Sequence, residues 1–313
     1  MTSDILPVIN SFEAPVPKTN KPEWLKIRPP TTEEYAKIKL RIKSLKLNTV
    51  CQEAHCPNMS ECWSGGTATF MVMGDTCTRG CKFCAVKTSR KPLPLDLQEP
   101  VKLAEAIKEM NLDYVVITSV DRDDLNDQGA NHFAECIQEV KKQNPKILIE
   151  VLTPDFRGNT DCLDIVLNAK PDVFAHNIET VQRLQSTVRD PRANYVQSLF
   201  VLDYIKKQDS KMYTKSSIMV GLGEQDSEIL QTLDDLRSKG VSVVTFGQYL
   251  QPSQNHLTVT EFVTPEKFKW FEEQALLKGF LYCASGPFVR SSYKAGEYFL
   301  KNVIHSSEIN AKP

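Results

Sequence analysis

Six of the nine cysteines in this 313-residue sequence fall between positions 51 and 84, in two groups of three. Cys77, Cys81 and Cys84 stand as C-x3-C-x2-C, and Cys51, Cys56 and Cys62 stand as C-x4-C-x5-C. Three thiolates so spaced in one loop can hold three irons of a cubane 4Fe–4S cluster and leave the fourth without a protein ligand. An open iron is a place where chemistry can happen, and two triads imply two clusters. A structural zinc loop normally closes with four ligands in two C-x2-C pairs, a pattern that does not occur here. Gly80 lets the second loop turn tightly, and Phe83 sets an aromatic face beside the cluster. His55 adjoins Cys56 but reads as a solvated loop residue. Cys136, Cys162 and Cys283 are scattered and read as small buried hydrophobes.

Something must hold these thiolates. The run 68–74 is β-prone and leads directly into Cys77. Further apolar strands are expected at 114–120, 146–153, 172–177, 214–221 and 242–248. Helical spacing appears between them, at Leu103, Ile107 and Met110 and at Ile229, Leu233 and Leu236, the latter stopped by Gly240. Thr264 and Pro265 open another helix, with Phe268 and Phe271 on its inner face. Repeated β–α units with near-continuous apolar strands imply a parallel sheet, helices outside, curled by right-handed crossovers. The expected fold is therefore α/β, a partial (β/α)6 TIM-type barrel over residues 67–280. Residues 1–66 form an N-terminal unit with the first triad, and 281–313 a C-terminal extension. Residues 1–30 are proline-rich and read as an extended arm. A helix follows, with a capping box at Thr31–Glu34, an apolar stripe at Tyr35, Ile38, Ile42 and Leu45, and a basic outer face at Lys37, Arg41 and Lys46.

Such barrels carry their chemistry at the carboxyl ends of the strands. Polar or glycine-rich runs fall at those places: Thr118 and Ser119 leading to Asp124, His176 to Thr180, Gly221 to Glu224, and Gln248 to Pro252.

The charges nearly cancel, to −1 at neutral pH, so no global electrostatic case exists for nucleic-acid or membrane binding. No apolar run approaches the ~20 residues of a membrane span. The opening MTSDILPVINSFEAPVP lacks a signal peptide's basic start and apolar core, and it carries Asp4 and Glu13 without an early arginine. On these grounds, and because clustered thiols need a reducing compartment, the expected location is the cytoplasm.

With an aromatic residue before its last cysteine, the C-x3-C-x2-C loop resembles that of the radical S-adenosylmethionine (SAM) superfamily. The stretches CPNMSECWSGGTATFMVMGDTCTRGCKFCAV, ITSVDRDDL, FAHNIETV, MVGLGE, QYLQPSQNHL and GPFVRSSY together resemble the lipoyl synthase family from Cys51 to Tyr293. The pattern departs at His55, where arginine is expected, and at Gln182, where proline is expected. The resemblance implies that Cys77, Cys81 and Cys84 hold the SAM-cleaving cluster. It also implies that Cys51, Cys56, Cys62 and Ser292 hold an auxiliary 4Fe–4S cluster that donates sulfur. Serine oxygen is harder than thiolate and suits cluster iron less well, so that iron can be lost when the cluster is dismantled. In an extended segment Ser291 and Ser292 would point oppositely, and the resemblance selects the second. Asn177, Glu179, Gly221 and Glu224 are the expected SAM cradle, with Phe83, Thr118 and Ser119 nearby.

The implied reaction uses two SAM per lipoyl group. It inserts two sulfurs into carbons six and eight of an octanoyl-lysine on a carrier domain, in a 2-oxoacid dehydrogenase acyltransferase subunit or the glycine cleavage H protein. The implied partners are a flavodoxin- or ferredoxin-type reductant and an iron–sulfur carrier, with no nucleic acid and no membrane. Two alternatives fit the sequence less well. Another sulfur-inserting enzyme, of the biotin synthase kind, would lack the first triad paired with RSSY. A non-catalytic iron–sulfur protein would cap every iron with cysteine.

Overall fold

A computed structural model describes residues 21–25, 33–53, 56, 58–64 and 67–292. Most of the proline-rich arm, Thr31 of the capping box, His55 and Tyr293 lie outside the described residues, as do the side chains of Tyr35 and Lys37. Within the arm, Glu23–Leu25 is a single 3-10 turn that buries Leu25.

The first helices are α1 (Glu33–Ser44), α2 (Val50–Glu53) and α3 (Met59–Ser64). Between the first two lies β1 (Asn48–Thr49), and β2 (Thr67–Val72) follows the third. The loop after β2 carries β3 (Thr76–Cys77) and β4 (Lys87–Thr88). Five β–α units come next: α4 (Glu99–Glu109) and β5 (Tyr114–Ser119), then α5 (Ala130–Gln143) and β6 (Leu148–Leu152). They continue with α6 (Thr160–Asn168) and β7 (Val173–Ala175), α7 (Gln185–Val188), α8 (Tyr195–Gln208) and β8 (Tyr213–Val220), and α9 (Asp226–Ser238) and β9 (Val243–Gln248). The last pair is α10 (Pro265–Leu277) and β10 (Tyr282–Gly286).

The main sheet has the order β1-β2-β5-β6-β7-β8-β9-β10. Every pairing in it is parallel except that of β1 with β2. This is the expected partial α/β barrel, with strands buried on both faces because helices cover the outside. The predicted strands are all present, ending within a few residues of their expected limits. Both flanking segments join the sheet: β1 lies antiparallel at one edge, and β10, which the apolar pattern did not reveal, extends the other. The cause is local, since Tyr-Cys-Ala-Ser-Gly has neither a β-branched residue nor an apolar run.

Several sequence signals act as expected. Gly240 adopts φ +72 just past α9, and the Thr264 side chain accepts the Lys267 amide at the start of α10. Ile42 is buried on the inner face of α1. Its basic face is not simply solvated, because Arg41 is ion-paired to Glu109 of α4. The three scattered cysteines are all buried.

Inside the sheet, Lys215 of β8 reaches across β7 to Glu150 of β6, with Nζ 2.9 and 2.8 Å from the two carboxylate oxygens. The Tyr114 hydroxyl donates to the same carboxylate at 2.7 Å. Both charges are fully buried. Removing one partner strands the other in low dielectric, so Lys215→Met is expected to cost about 3–5 kcal/mol. Lys215→Met with Glu150→Met should recover most of that loss. Denaturant midpoints check this; a single variant as stable as the parent would show that the pair is solvated.

Candidate active site

The cysteine loop leaves the carboxyl end of β2 and is stapled by its own small sheet, in which Cys77 pairs with Thr88. Ser89 donates to the Cys77 carbonyl at 3.0 Å, closing the loop at its base. Cys77, Cys81 and Cys84 are all half-buried and free of disulfides.

Their sulfurs face backbone donors. Cys77 Sγ accepts from Arg79 N at 3.4 Å and Asp121 N at 3.3 Å. Cys81 Sγ accepts from Asp190 N at 3.3 Å. Burial pushes the thiols of Cys77 and Cys81 up to about 12 and raises that of Cys84. Such sulfurs ionise only beside strong positive charge, which cluster iron supplies and a solvated thiol loop lacks. N–H···S bonds of this kind also help set a cluster's potential. The donor set therefore fits three-cysteine ligation of a 4Fe–4S cluster.

The loop is braced by charged residues from three later segments. Arg79, buried between the first two cysteines, makes a paired contact with Asp123 at 3.0 and 2.9 Å and another with Asp155 at 2.9 Å. Burial opposes ionisation of Asp123, but the guanidinium beside it overcomes this and holds the carboxyl down at about 2. Asp190 accepts the Gly80 amide at 2.9 Å, and Arg192 donates to the Thr78 carbonyl at 2.8 Å. From the other side, His256 Nε2 lies 2.9 Å from the Cys84 carbonyl. Sequence reading noted Arg79, Asp123 and His256 only as members of motifs and missed Asp155, Asp190 and Arg192. Their one visible signal is the cluster of Asp and Arg in strand-end loops.

The proposed SAM cradle divides in two. Ser119 Oγ and Asn177 Oδ1 are buried without a hydrogen-bond partner, as is Thr180 Oγ1, which sequence reading did not single out. Unsatisfied buried groups at strand ends fit a polar ligand. Asn177 also donates to Glu179 at 3.2 Å. Glu179 has φ +68, and burial raises its carboxyl, which lies within electrostatic reach of Cys84. Thr118 and Glu224 are committed elsewhere. The Thr118 hydroxyl donates to Leu152 O at 2.8 Å. Glu224 accepts the amides of Gly221 and Leu222 at 2.5 and 2.9 Å, bracing the turn in which Gly221 has φ +94. Phe83 is half-buried within the loop.

The second triad sits beside β2, with Cys51 in α2, Cys62 in α3 and Cys56 between them. Cys56 N donates to Cys51 O at 2.9 Å. Burial pushes the Cys51 thiol up to about 11 and raises that of Cys56, against which Arg290 pulls. The tail motif is brought to this triad: Asn58 Nδ2 donates to Phe288 O at 2.5 Å, and Arg290 lies near Cys56. Ser291 and Ser292 are half-buried and form a turn, so strand-like alternation does not choose between them.

Gly247 allows the tail to come this close, since a Cβ there would sit 2.1 Å from the Val289 carbonyl oxygen. Gly247→Ala is expected to displace the tail and, on the activity that the resemblance implies, to lower sulfur insertion roughly a hundredfold, because ångström-scale misplacement costs that much. SAM cleavage should be unaffected. Product analysis by mass and by nucleoside chromatography checks both; equal loss of the two would place the tail at the first triad instead.

Family models match at residues 71–236, the radical SAM superfamily, and at residues 13–56, the N-terminal domain of lipoyl synthase. The chain is 54% identical to the apicoplast lipoyl synthase of Plasmodium falciparum, covering 95% of this chain and 72% of that protein. It is 58% identical to the mitochondrial lipoyl synthase of Trichoplax adhaerens, covering 91% and 82%. Among solved structures, the FeFe-hydrogenase maturase HydG from Carboxydothermus hydrogenoformans aligns at TM-score 0.55 and 16% identity, over 76% of this chain and 66% of that one. Methylornithine synthase aligns at 0.53 and 15%, over 68% and 62%. These last two show the fold alone.

The expected cytoplasmic location is overturned by the relatives, which are organellar proteins. Reduced thiols and an apolar-poor start do not separate the cytosol from an organelle interior, where the same cysteine chemistry operates.

Proposed function

The chain belongs to the lipoyl synthase family of radical SAM enzymes, and from that premise we propose which residues serve each part of the reaction. Membership makes it a sulfur-inserting transferase and implies one 4Fe–4S cluster and SAM. We assign that cluster to Cys77, Cys81 and Cys84. When bound, cluster and SAM supply, on one-electron reduction, a 5′-deoxyadenosyl radical able to remove hydrogen from an unactivated carbon.

The chain's own residues position and shield. Arg79, Asp123, Asp155, Asp190 and Arg192 brace the loop and so fix where its three thiols stand. Ser119, Asn177 and Thr180 offer buried, unspent polar atoms to SAM, and Glu179 stands beside them. Thr118 and Glu224 shape the rim through the backbone.

One observation carries the sulfur-insertion reading: the second triad is locked to the tail motif through Asn58 and Phe288, with Arg290 beside Cys56. We assign to Cys51, Cys56, Cys62 and Ser292 an auxiliary 4Fe–4S cluster that is consumed as the sulfur substrate. Two sulfurs enter carbons six and eight of an octanoyl chain amide-linked to a carrier lysine, each replacing one hydrogen. The carriers are lipoyl domains of 2-oxoacid dehydrogenase acyltransferase subunits or the glycine cleavage H protein. A flavodoxin- or ferredoxin-type protein supplies electrons, and an iron–sulfur carrier rebuilds the spent cluster.

The test is anaerobic incubation of octanoylated carrier domain with SAM and a low-potential reductant. Carrier gaining two sulfurs, with two deoxyadenosines formed per product, is expected. Deoxyadenosine with no change in carrier mass would contradict the assignment.

A further inference from the structure

Met73 joins β2 to the cysteine loop with φ +70, and Gly74 follows at +92. A residue with a Cβ is disfavoured in this left-handed region unless its surroundings hold it there. Met73 is held at three points. Its N–H donates to Glu99 Oε2 at 2.8 Å. Its carbonyl accepts from Arg122 Nη1 at 3.5 Å, and Arg122 is itself gripped by both oxygens of Asp124 at 2.8 Å. Its sulfur packs over Gly129, where a Cβ would come within 2.1 Å.

Glu99 opens α4 and is 5% exposed, and His132 of α5 is 4% exposed. His132 Nε2 lies 2.7 Å from the same oxygen that takes the Met73 amide. One carboxylate oxygen thus ties two helices to the exit of β2. Cys136, one turn along from His132, brings its sulfur within 4.8 Å of both other ligand atoms, a set that invites a metal reading. The distances speak against it. Ligands of one tetrahedral ion with bonds of ~2.0 Å sit roughly 3.3 Å apart, whereas this carboxylate and imidazole are at hydrogen-bond distance and the oxygen is already shared with a backbone amide.

We propose that Glu99, oriented by His132, is a positioning residue for the thiolate triad. By fixing the left-handed turn at Met73 it sets the direction in which β2 leaves the sheet, and so where Cys77 is presented four residues later. The role rests on assigning the SAM-cleaving cluster to that triad. Glu99 touches none of the ligand sulfurs and acts only through the backbone.

The test compares Glu99→Ala, Glu99→Gln and His132→Phe in the full-length chain. Two readouts go beyond activity: hydrogen exchange of the segment 70–76 without any cluster, and low-temperature EPR of the reduced protein with and without SAM. Glutamine keeps an oxygen for the Met73 amide, so Glu99→Gln should stay within about threefold of the parent on every measure, while residues that merely support a metal's ligands typically cost 10–100-fold when lost. Glu99→Ala should exchange the Met73–Thr76 amides about tenfold faster with the rest of the sheet unchanged. It should keep its iron but lose the SAM-induced EPR change, and His132→Phe should move the same way less far. A folded Glu99→Ala with parental exchange and EPR overturns the proposal, as does Glu99→Gln impaired as badly as alanine. Stoichiometric zinc released by Cys136→Ser overturns it too, in favour of a metal site. If Glu99→Ala does not fold, Glu99→Gln against His132→Phe makes the same comparison with the same overturning result. The exchange measurement uses no cluster, so it tests the clamp even if the parent fails to cleave SAM, an outcome that would instead remove the cluster assignment.

Discussion

Alanine at Cys77, Cys81 and Cys84 together is expected to reduce 5′-deoxyadenosine formation to that of a protein-free control, while iron equivalent to one cluster stays bound. Alanine at Cys51, Cys56 and Cys62 should do the reverse, sparing deoxyadenosine and abolishing sulfur insertion. The separation follows from where the triads sit. The first lies in a loop after β2, braced by strand-end residues and closed at its base by its own two-stranded sheet. The second lies in α2, α3 and the turn between them, beside β2, and Asn58 hydrogen-bonds it to the tail. Loss of one set therefore removes ligands without dismantling the other's supports. Iron content, EPR and nucleoside chromatography on each triple variant decide the matter. Deoxyadenosine from the first variant would mean that the triads are assigned the wrong way round.

Free octanoate is expected to be a poor substrate beside an octanoylated carrier domain, by roughly two orders of magnitude or more. A radical reacts with the C–H bond nearest to it, so selectivity for two carbons of a plain alkyl chain must come from holding that chain still. Methylene groups have no polar handle, and apolar contact alone fixes depth only loosely. An amide tether adds polar groups and a fixed entry point. Octanoylated carrier, an octanoyl-lysine peptide and free octanoate, compared under one set of anaerobic conditions, make the test. Equal sulfur incorporation into free octanoate would remove the tether from the account. Good turnover of the peptide would keep the tether but dispense with a carrier-docking face. Arg41, on the basic face of α1, is already paired with Glu109 and so is not a free cation for such a face.

Fold and ligands were legible in the sequence to different depths, for physical reasons. Buried parallel strands such as Tyr114–Ser119 announce themselves as apolar β-branched runs, and helix ends at Gly240 and Thr264 carry their own caps. Tyr282–Gly286 has no such run; its strand exists because β9 offers it an edge. The thiolate triads were legible because ligand spacing is local. Their supports were not, because the partner of Arg79 at Asp155 or of Gly80 at Asp190 is fixed by the barrel, not by spacing. The same limit explains Thr118 and Glu224. Sequence places them at the rim, but only the hydrogen bonds to Leu152 and to the Gly221 turn show that those polar atoms are spent. Ser119 and Asn177, equally plain as residues, keep buried atoms unspent.

The central claim is that the inserted sulfur is sulfide of the auxiliary cluster assigned to Cys51, Cys56, Cys62 and Ser292. It is tested by rebuilding the protein with heavy-isotope sulfide, removing all free sulfide, and following a single turnover on an unlabelled octanoylated carrier by intact mass. The account predicts a carrier bearing two heavy sulfurs, with none incorporated when Cys51, Cys56 and Cys62 are alanine. Product carrying only light sulfur, or heavy product from that triple variant, would contradict it.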